Sequence, residues 1–213
     1  MHFEFLLEDQ SSSKAMDILM PKLLGSNSTY RIHSYKGIGD IQKGLRPNSD
    51  ASKRILLHQL PRILRGYGRN PDCGIIVIIC DLDDRDKTEF LSELHGVYNS
   101  CAPKPETLFC LAIEEFEAWY LGDLVAVRKA YPNSKSIVLS KYENDSICGT
   151  WQLLADATYK GGHLALKKKG WQAIGKQKYI WAETISPHMI ISDNISPSFN
   201  FMCNQLQHYS SLN

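Results

Sequence analysis

The chain predicts an α/β protein: a mostly parallel sheet flanked by helices, followed by a C-terminal helical extension. Three observations carry that reading. The stretch "GIIVIIC", Gly74 to Cys80, is a β-branched apolar run with no polar alternation, the pattern of a strand buried on both faces of a parallel sheet. Strand-like and helix-like runs alternate through the first half of the chain, as they do in doubly wound sheets. From Glu114 onward only helical periodicity recurs.

The elements follow in order. "HFEFLLE", 2–8, is a short apolar-rich strand. In "DQSSSKAMDILMPKLLG" a serine cap precedes Ala15, Ile18, Leu19 and Leu23, giving a helix closed by Gly25, with Pro21 placed to shorten or kink it. "TYRIHSY", 29–35, is a second strand; the Gly-rich turn "KGIGD" and a helix over about 50–66 come next. The central strand 74–81, a helix over about 86–98 and the strand "ETLFCLAI", 106–113, complete the sheet. Helical patterns then run through "EEFEAWYLGDLVAVRKAYP", "GTWQLLADATY", "LALKKKG", "KYIWAETI" and "SFNFMCNQLQHYSSL". The division expected is an α/β domain over 1–135 and a lysine-rich helical extension over 136–213 packed on it.

A chain of 213 residues is long enough to bury a proper core. Its net charge of +1 excludes a uniformly basic coat and leaves room for a local basic patch. Six cysteines with no CxxC pair read as free thiols of a reducing compartment, not as a zinc site. "MHFEFLLEDQ" lacks the basic region and long apolar run of a signal peptide. No segment approaches the roughly 18 apolar residues of a membrane span, so a cytoplasmic protein without membrane partners is expected.

Four acids, Asp81, Asp83, Asp84 and Asp86, crowd into six positions after the central strand. Open α/β sheets place their ligands at that carboxyl edge. Crowded like charges are costly unless something positive neutralises them, so the cluster either fans out into water or holds a cation. If the first strand neighbours the central one, Glu8 and Asp81 share an edge about 5 Å apart. Asp83 points to the same face while the backbone stays extended. Three such carboxylates are the donors a hard cation such as Mg²⁺ prefers. The alternative is that the acids cap the next helix, whose dipole favours them. Arg85 either holds a phosphate or balances charge.

"AIEEFEAWYLGD" adds Glu114, Glu115 and Glu117. Glu114 and Glu117 lie one helical turn apart, and Glu117 completes a second metal position of the kind two-metal phosphodiester cleavage uses. The other reading is a solvated acidic first turn. Phe116, Tyr120 and Val127 fit the core, and Asp123 fits a helix cap. In "YKGIGD", two glycines beside Lys36 either offer backbone N–H groups to a phosphate or form an ordinary turn. "YKGGHLALKKKGWQAIGKQK" carries Lys160, Lys167, Lys168, Lys169, Lys176 and Lys178 with Tyr159 and Trp171 and no acid. It is either a backbone-tracking, base-stacking surface or a set of solvated helix faces, and Lys167 to Lys169 cannot all share one face. Lys53, Arg54, Arg62, Arg65 and Arg69 form a second basic segment. The histidines show no metal spacing; His33 and His188 suit core or turn positions. No Ser-His-Asp or Cys-His set is evident.

An N-terminal strand ending in Glu, a polar turn and helix, and a later apolar strand ending in Asp-x-Asp together resemble a TOPRIM domain. TOPRIM is the metal-binding core shared by topoisomerases, primases and the overcoming-lysogenisation-defect nucleases. More narrowly, "LLEDQSS", "IHSYKGIGD", "DLDDRD", "AIEEFEAWYLGD", "GTWQLLADATYKGG", "KYIWAETISPHM" and "NISPSF" resemble the bacterial family catalogued as domain of unknown function 4276, over nearly the whole chain. The resemblance implies a TOPRIM, Rossmann-like sheet, with Glu8 in acid/base or metal-binding work and Asp81 and Asp83 on Mg²⁺ (or Mn²⁺). It favours Glu117 over its neighbours through the Glu-x-Trp pattern, and it sets Lys36 at the border of the site. It implies a nuclease acting on DNA or RNA in defence against phage, beside an ATPase of the structural-maintenance or ABC type. This chain carries no GxxxxGK[ST], so such an ATPase acts in trans. The competing reading is a non-catalytic TOPRIM-fold module that docks an ATPase or nucleic acid. A haloacid-dehalogenase-type phosphatase also opens on "DLDD", but there a Thr usually follows the acids, where Arg85 stands here, and the motif lies near the N-terminus.

Overall fold

The structure is a computed structural model that describes residues 1–25, 27–37, 39, 56–146 and 149–211. The strands are β1 (His2–Leu7), β2 (Thr29–Ser34), β3 (Ile75–Asp81) and β4 (Thr107–Ala112), all parallel, in the order β2-β1-β3-β4. The register sets Leu7 beside Ile79 and Asp81 beside Ala112. The central strand β3 is buried on both faces from Ile75 to Cys80, as its unbroken apolar run predicts.

Alternation along the strands divides the core in two. Phe3, Phe5, Leu7, Ile75, Val77, Ile79, Leu108 and Cys110 face one layer. Leu6, Ile76, Ile78, Cys80, Phe109 and Leu111 face the other, where they meet Leu56, Leu60 and Leu64 of α2 (Leu56–Gly68) and Phe90 and Leu94 of α3 (Lys87–Asn99). The first layer is covered by α1 (Gln10–Leu23), α4 (Glu117–Leu121) and α5 (Leu124–Ala130), and by helices from beyond residue 135. Those are α6 (Ser136–Leu139), α7 (Thr150–Thr158), α8 (Gly162–Lys167), α9 (Trp171–Ile185) and α10 (Pro197–Ser211). Helix α9 packs along α1, α7 against α4, and α10 against β4. The fold is thus α/β, with helices on both faces of a parallel sheet and a helical extension that completes one face.

Local departures have local causes. Helix α1 continues two residues past Pro21 and is capped at buried, extended Leu24, whose N–H returns to the Met20 carbonyl at 2.8 Å, rather than at Gly25. The run 114–132 breaks into α4 and α5 because Gly122 abuts Asn194 and Ser196, and the Asp123 side chain caps Ala126 at 2.9 Å. The predicted start of the helix at about 50 lies outside the described residues; its end extends to Gly68. Among the described residues no helix is long and apolar enough to cross a membrane. Cys73, Cys80, Cys101, Cys110 and Cys203 are free and buried; Cys148 lies outside the described residues.

Candidate active site

Because β1 and β3 are neighbours, Glu8 and Asp81 meet at the carboxyl edge of the sheet. The Asp81 N–H faces the Glu8 carboxylate at 3.4 Å. Asp83 joins them by a different route from the extended one expected. The backbone turns left-handed at Asp83 (φ 53°), and its N–H donates to the Glu114 carbonyl at 2.8 Å. Its charge still acts on Glu8. Arg85 balances charge here: Nη1 lies 3.4 Å from Asp83, and its guanidinium sits over the Phe90 ring. The helix-cap alternative holds for one acid of the run, since Asp86 accepts the Thr88 and Glu89 N–H groups at the start of α3.

Glu117 opens α4 and is only 2% exposed. Its partner is Lys178 of α9, whose Nζ stands 3.1 Å from Glu117 and 3.4 Å from Glu115. The structure therefore moves Lys178 from the expected nucleic-acid surface into the carboxylate cluster. Helix periodicity explains the move: Ile174, Lys178, Trp181 and Ile185 form one stripe, and its three apolar members are buried. Glu114, expected one turn from Glu117 on the same face, instead precedes the helix with φ 60°. Its carboxylate accepts the N–H groups of Gly149 (2.8 Å) and Thr150 (2.7 Å) and the Thr150 hydroxyl, capping α7.

Sequence reasoning left three members out of the cluster: Asp9, which it did not single out; Glu115, passed over in favour of Glu117; and Lys178, assigned to the nucleic-acid surface. Asp9 caps α1, accepting from the Ser12 N–H at 2.8 Å and the Ser11 hydroxyl at 2.9 Å, and its charge reaches Asp81, Glu117 and Lys178. The signal for Asp9 was its cap spacing to Ser12; for Lys178 it was the buried stripe.

Burial, reinforced by Asp83 and Asp9, pushes the Glu8 carboxyl up to about 7. Burial and Glu8 together hold Asp81 well above the usual carboxylate range. Glu115 rises to about 7 through burial, with Lys178 opposing, and Glu117 shifts the same way. Burial would lower the Lys178 ammonium, but Glu117, Glu115 and Asp81 outweigh it and hold the proton more tightly than usual. The cluster is short of positive charge.

Among the described residues no group of three or more His, Cys, Asp or Glu side chains forms a ready-made metal cage. The donor chemistry nonetheless fits a hard divalent cation. All donors are carboxylate oxygens; the buried Oε2 of Glu115 has no hydrogen-bond partner, and that of Glu117 has the Lys178 ammonium at 3.1 Å. Glu8, Asp81 and Asp83 stand on the side where no lysine lies within ion-pair distance.

Around this edge, the Gly37 N–H donates to the Glu8 carbonyl at 2.9 Å, so the loop containing exposed Lys36 begins beside the site. Lys160, Lys167, Lys168, Lys169 and Lys176 are exposed at the α8–α9 corner, with Trp171 77% exposed among them. Helix α8 ends at Lys167, so the three consecutive lysines turn a corner instead of lining a face. Arg62 and Arg69 are exposed on and just after α2; Lys53 and Arg54 lie outside the described residues. His33 is bonded to buried Glu4 at 2.6 Å, and His188 is exposed in a short 3₁₀ turn. In comparisons with protein-family models, curated proteins and solved structures, none matches the chain, so the family resemblance rests on the motifs themselves.

Proposed function

We propose that the chain is a Mg²⁺- or Mn²⁺-dependent nuclease of the TOPRIM type, hydrolysing phosphodiester bonds of DNA or RNA. One observation carries the reading: Glu8, Asp81, Asp83 and Glu117 gather at the carboxyl edge of adjacent parallel strands, with too little positive charge to neutralise them. Glu8, Asp81 and Asp83 would hold the cation, with Glu117 across from them. A bound divalent ion supplies an acidified water and offsets charge on the phosphate.

The chain's own residues supply the rest. In the metal-free protein Glu8 is raised to about 7 by burial and its acidic neighbours, so cation binding would release its proton at physiological pH. Lys178 keeps its proton and adds fixed positive charge beside Glu117. Lys36 borders the edge, and Lys160, Lys167, Lys168, Lys169, Lys176 and Trp171 offer backbone and stacking contacts to a strand. The resemblance adds the setting: a cytoplasmic anti-phage effector working with an ATPase of the structural-maintenance or ABC type in trans.

The test is cleavage of plasmid DNA and total tRNA with Mg²⁺ or Mn²⁺, comparing the wild type with D81A/D83A. Metal-dependent cleavage lost in the variant is the expected result, and the substrate cut identifies the class. The second reading, a non-catalytic module docking an ATPase or nucleic acid, draws on the Lys178 pairs, which already neutralise part of the cluster. It takes over if wild type and variant are equally inert but bind nucleic acid or the ATPase alike.

A further inference from the structure

Building on the metal-site reading, we propose that Lys178 permanently fills the second cation position. The site then takes one divalent ion, on Glu8, Asp81 and Asp83, while the Glu115–Glu117 side is neutralised by the ammonium. A two-metal site places a cation on each side of the reacting phosphate. In this chain the Glu117 side is already occupied, with Lys178 Nζ 3.1 Å from Glu117 and 3.4 Å from Glu115.

The ammonium has nowhere else to go. Its side chain is 15% exposed, and its stem leaves α9 between buried Ile174 and Trp181, which fixes where it reaches. A divalent ion on Glu117 would have to displace the Lys178 ammonium from its pairs with Glu117 and Glu115, leaving a nearly buried charge without its closest partners, which is costly. On the other side no lysine makes a direct pair: Arg85 reaches Asp83 at 3.4 Å, Glu8 and Asp81 make no ion pair within 4.0 Å among the described residues, and the Lys178 charge reaches these three only from farther off. Asp9 does not offer an open donor set either, since both of its carboxylate oxygens accept from Ser11 and Ser12. One divalent ion and one lysine therefore divide five carboxylates, Glu8, Asp81 and Asp83 for the ion and Glu115 and Glu117 for the lysine.

Titration of the full chain with Mn²⁺, following free ion by electron paramagnetic resonance, tests this without relying on activity. The wild type should bind one Mn²⁺ per chain, and Asp81→Asn should weaken it by about 10–100-fold or more. Lys178→Met should admit a second Mn²⁺, while Lys178→Arg should stay at one. Glu117→Gln should keep one Mn²⁺ per chain and cost less affinity than Asp81→Asn, because Glu117 holds the lysine and not the ion. Two ions bound by the wild type would overturn the inference while leaving the metal reading intact, and so would loss of the ion in Glu117→Gln. That second arm decides the matter even if Lys178→Met fails to fold. No Mn²⁺ bound by a folded wild type overturns the metal reading itself.

Discussion

A carboxyl that titrates near 7 ties folding to pH in a definite direction. Glu8 moves from an ordinary value of 4.5 to about 7 because the fold buries it and sets Asp83 and Asp9 beside it. Folded Glu8 thus binds its proton more tightly than unfolded Glu8. Its contribution is fully present below about pH 4.5 and is lost as pH rises through 7. Glu115 shifts in the same direction to about 7. Glu4 and Asp156 shift downward, toward His33 and His163, so their losses begin only as the solution becomes more acid than the ordinary carboxylate range. Metal-free protein should therefore unfold at lower urea at pH 8 than at pH 5, by on the order of 2 kcal/mol for the mutually coupled groups. Glu8→Gln should remove a substantial part of that slope. A wild-type stability that rises between pH 5 and pH 8 would contradict the crowding argument.

Two helices begin on carboxylates borrowed from elsewhere in the chain, and both accepting residues sit in left-handed backbone. Glu114 (φ 60°) caps α7, and Asp145 (φ 57°) holds the start of α10 by accepting the Ser196 hydroxyl at 2.7 Å and the Ser198 N–H at 2.6 Å. Asp145→Ala removes both bonds and puts a residue without a compensating side-chain bond at positive φ. It should cost about 1–3 kcal/mol in urea unfolding. Asp145→Asn tolerates the backbone and keeps an acceptor for Ser198, so it should cost clearly less. Equal losses for the two variants would mean that the bonds do not set the helix start. These caps also mark where sequence reading stops. β3 was legible because an unbroken β-branched run has one burial solution, and Glu8 beside Asp81 followed from strand adjacency alone. Glu114 was read as a helix-face acid because its partner, Thr150, lies 36 residues away and nothing local announces it. Asp83 reached the site through a turn that period-two logic does not see. Lys178 was legible only as an interruption in the Ile174–Trp181–Ile185 stripe, where composition alone suggested a surface lysine.

The helical extension is part of the sheet's core at the scale of the whole molecule, and that decides how the chain unfolds. Trp151, Leu154, Ile174, Trp181, Ile185, Phe199, Met202 and Leu206, all from beyond residue 135, are buried in one cluster with Phe3, Phe5 and Leu7. Trp119 of α4 stacks edge-on against Phe199 at 5.4 Å and donates to the Ser198 hydroxyl at 3.0 Å. The site depends on the same union, because Lys178 comes from the extension and Glu117 from the first half. Burying a large apolar side chain contributes about 1.5–3 kcal/mol, while a whole domain is stable by only about 5–15 kcal/mol. Removing eight such side chains therefore exceeds what residues 1–135 could hold in reserve. The full chain should unfold in urea in one cooperative transition, with tryptophan fluorescence and far-ultraviolet circular dichroism superimposing. A fragment of residues 1–135 should show no cooperative transition and should bind a hydrophobic dye, since α1 and α4 lose the helices that cover them. A fragment that melts sharply, or a full chain with two separated transitions, would show that the sheet owns a sufficient core and that the extension is a separable domain.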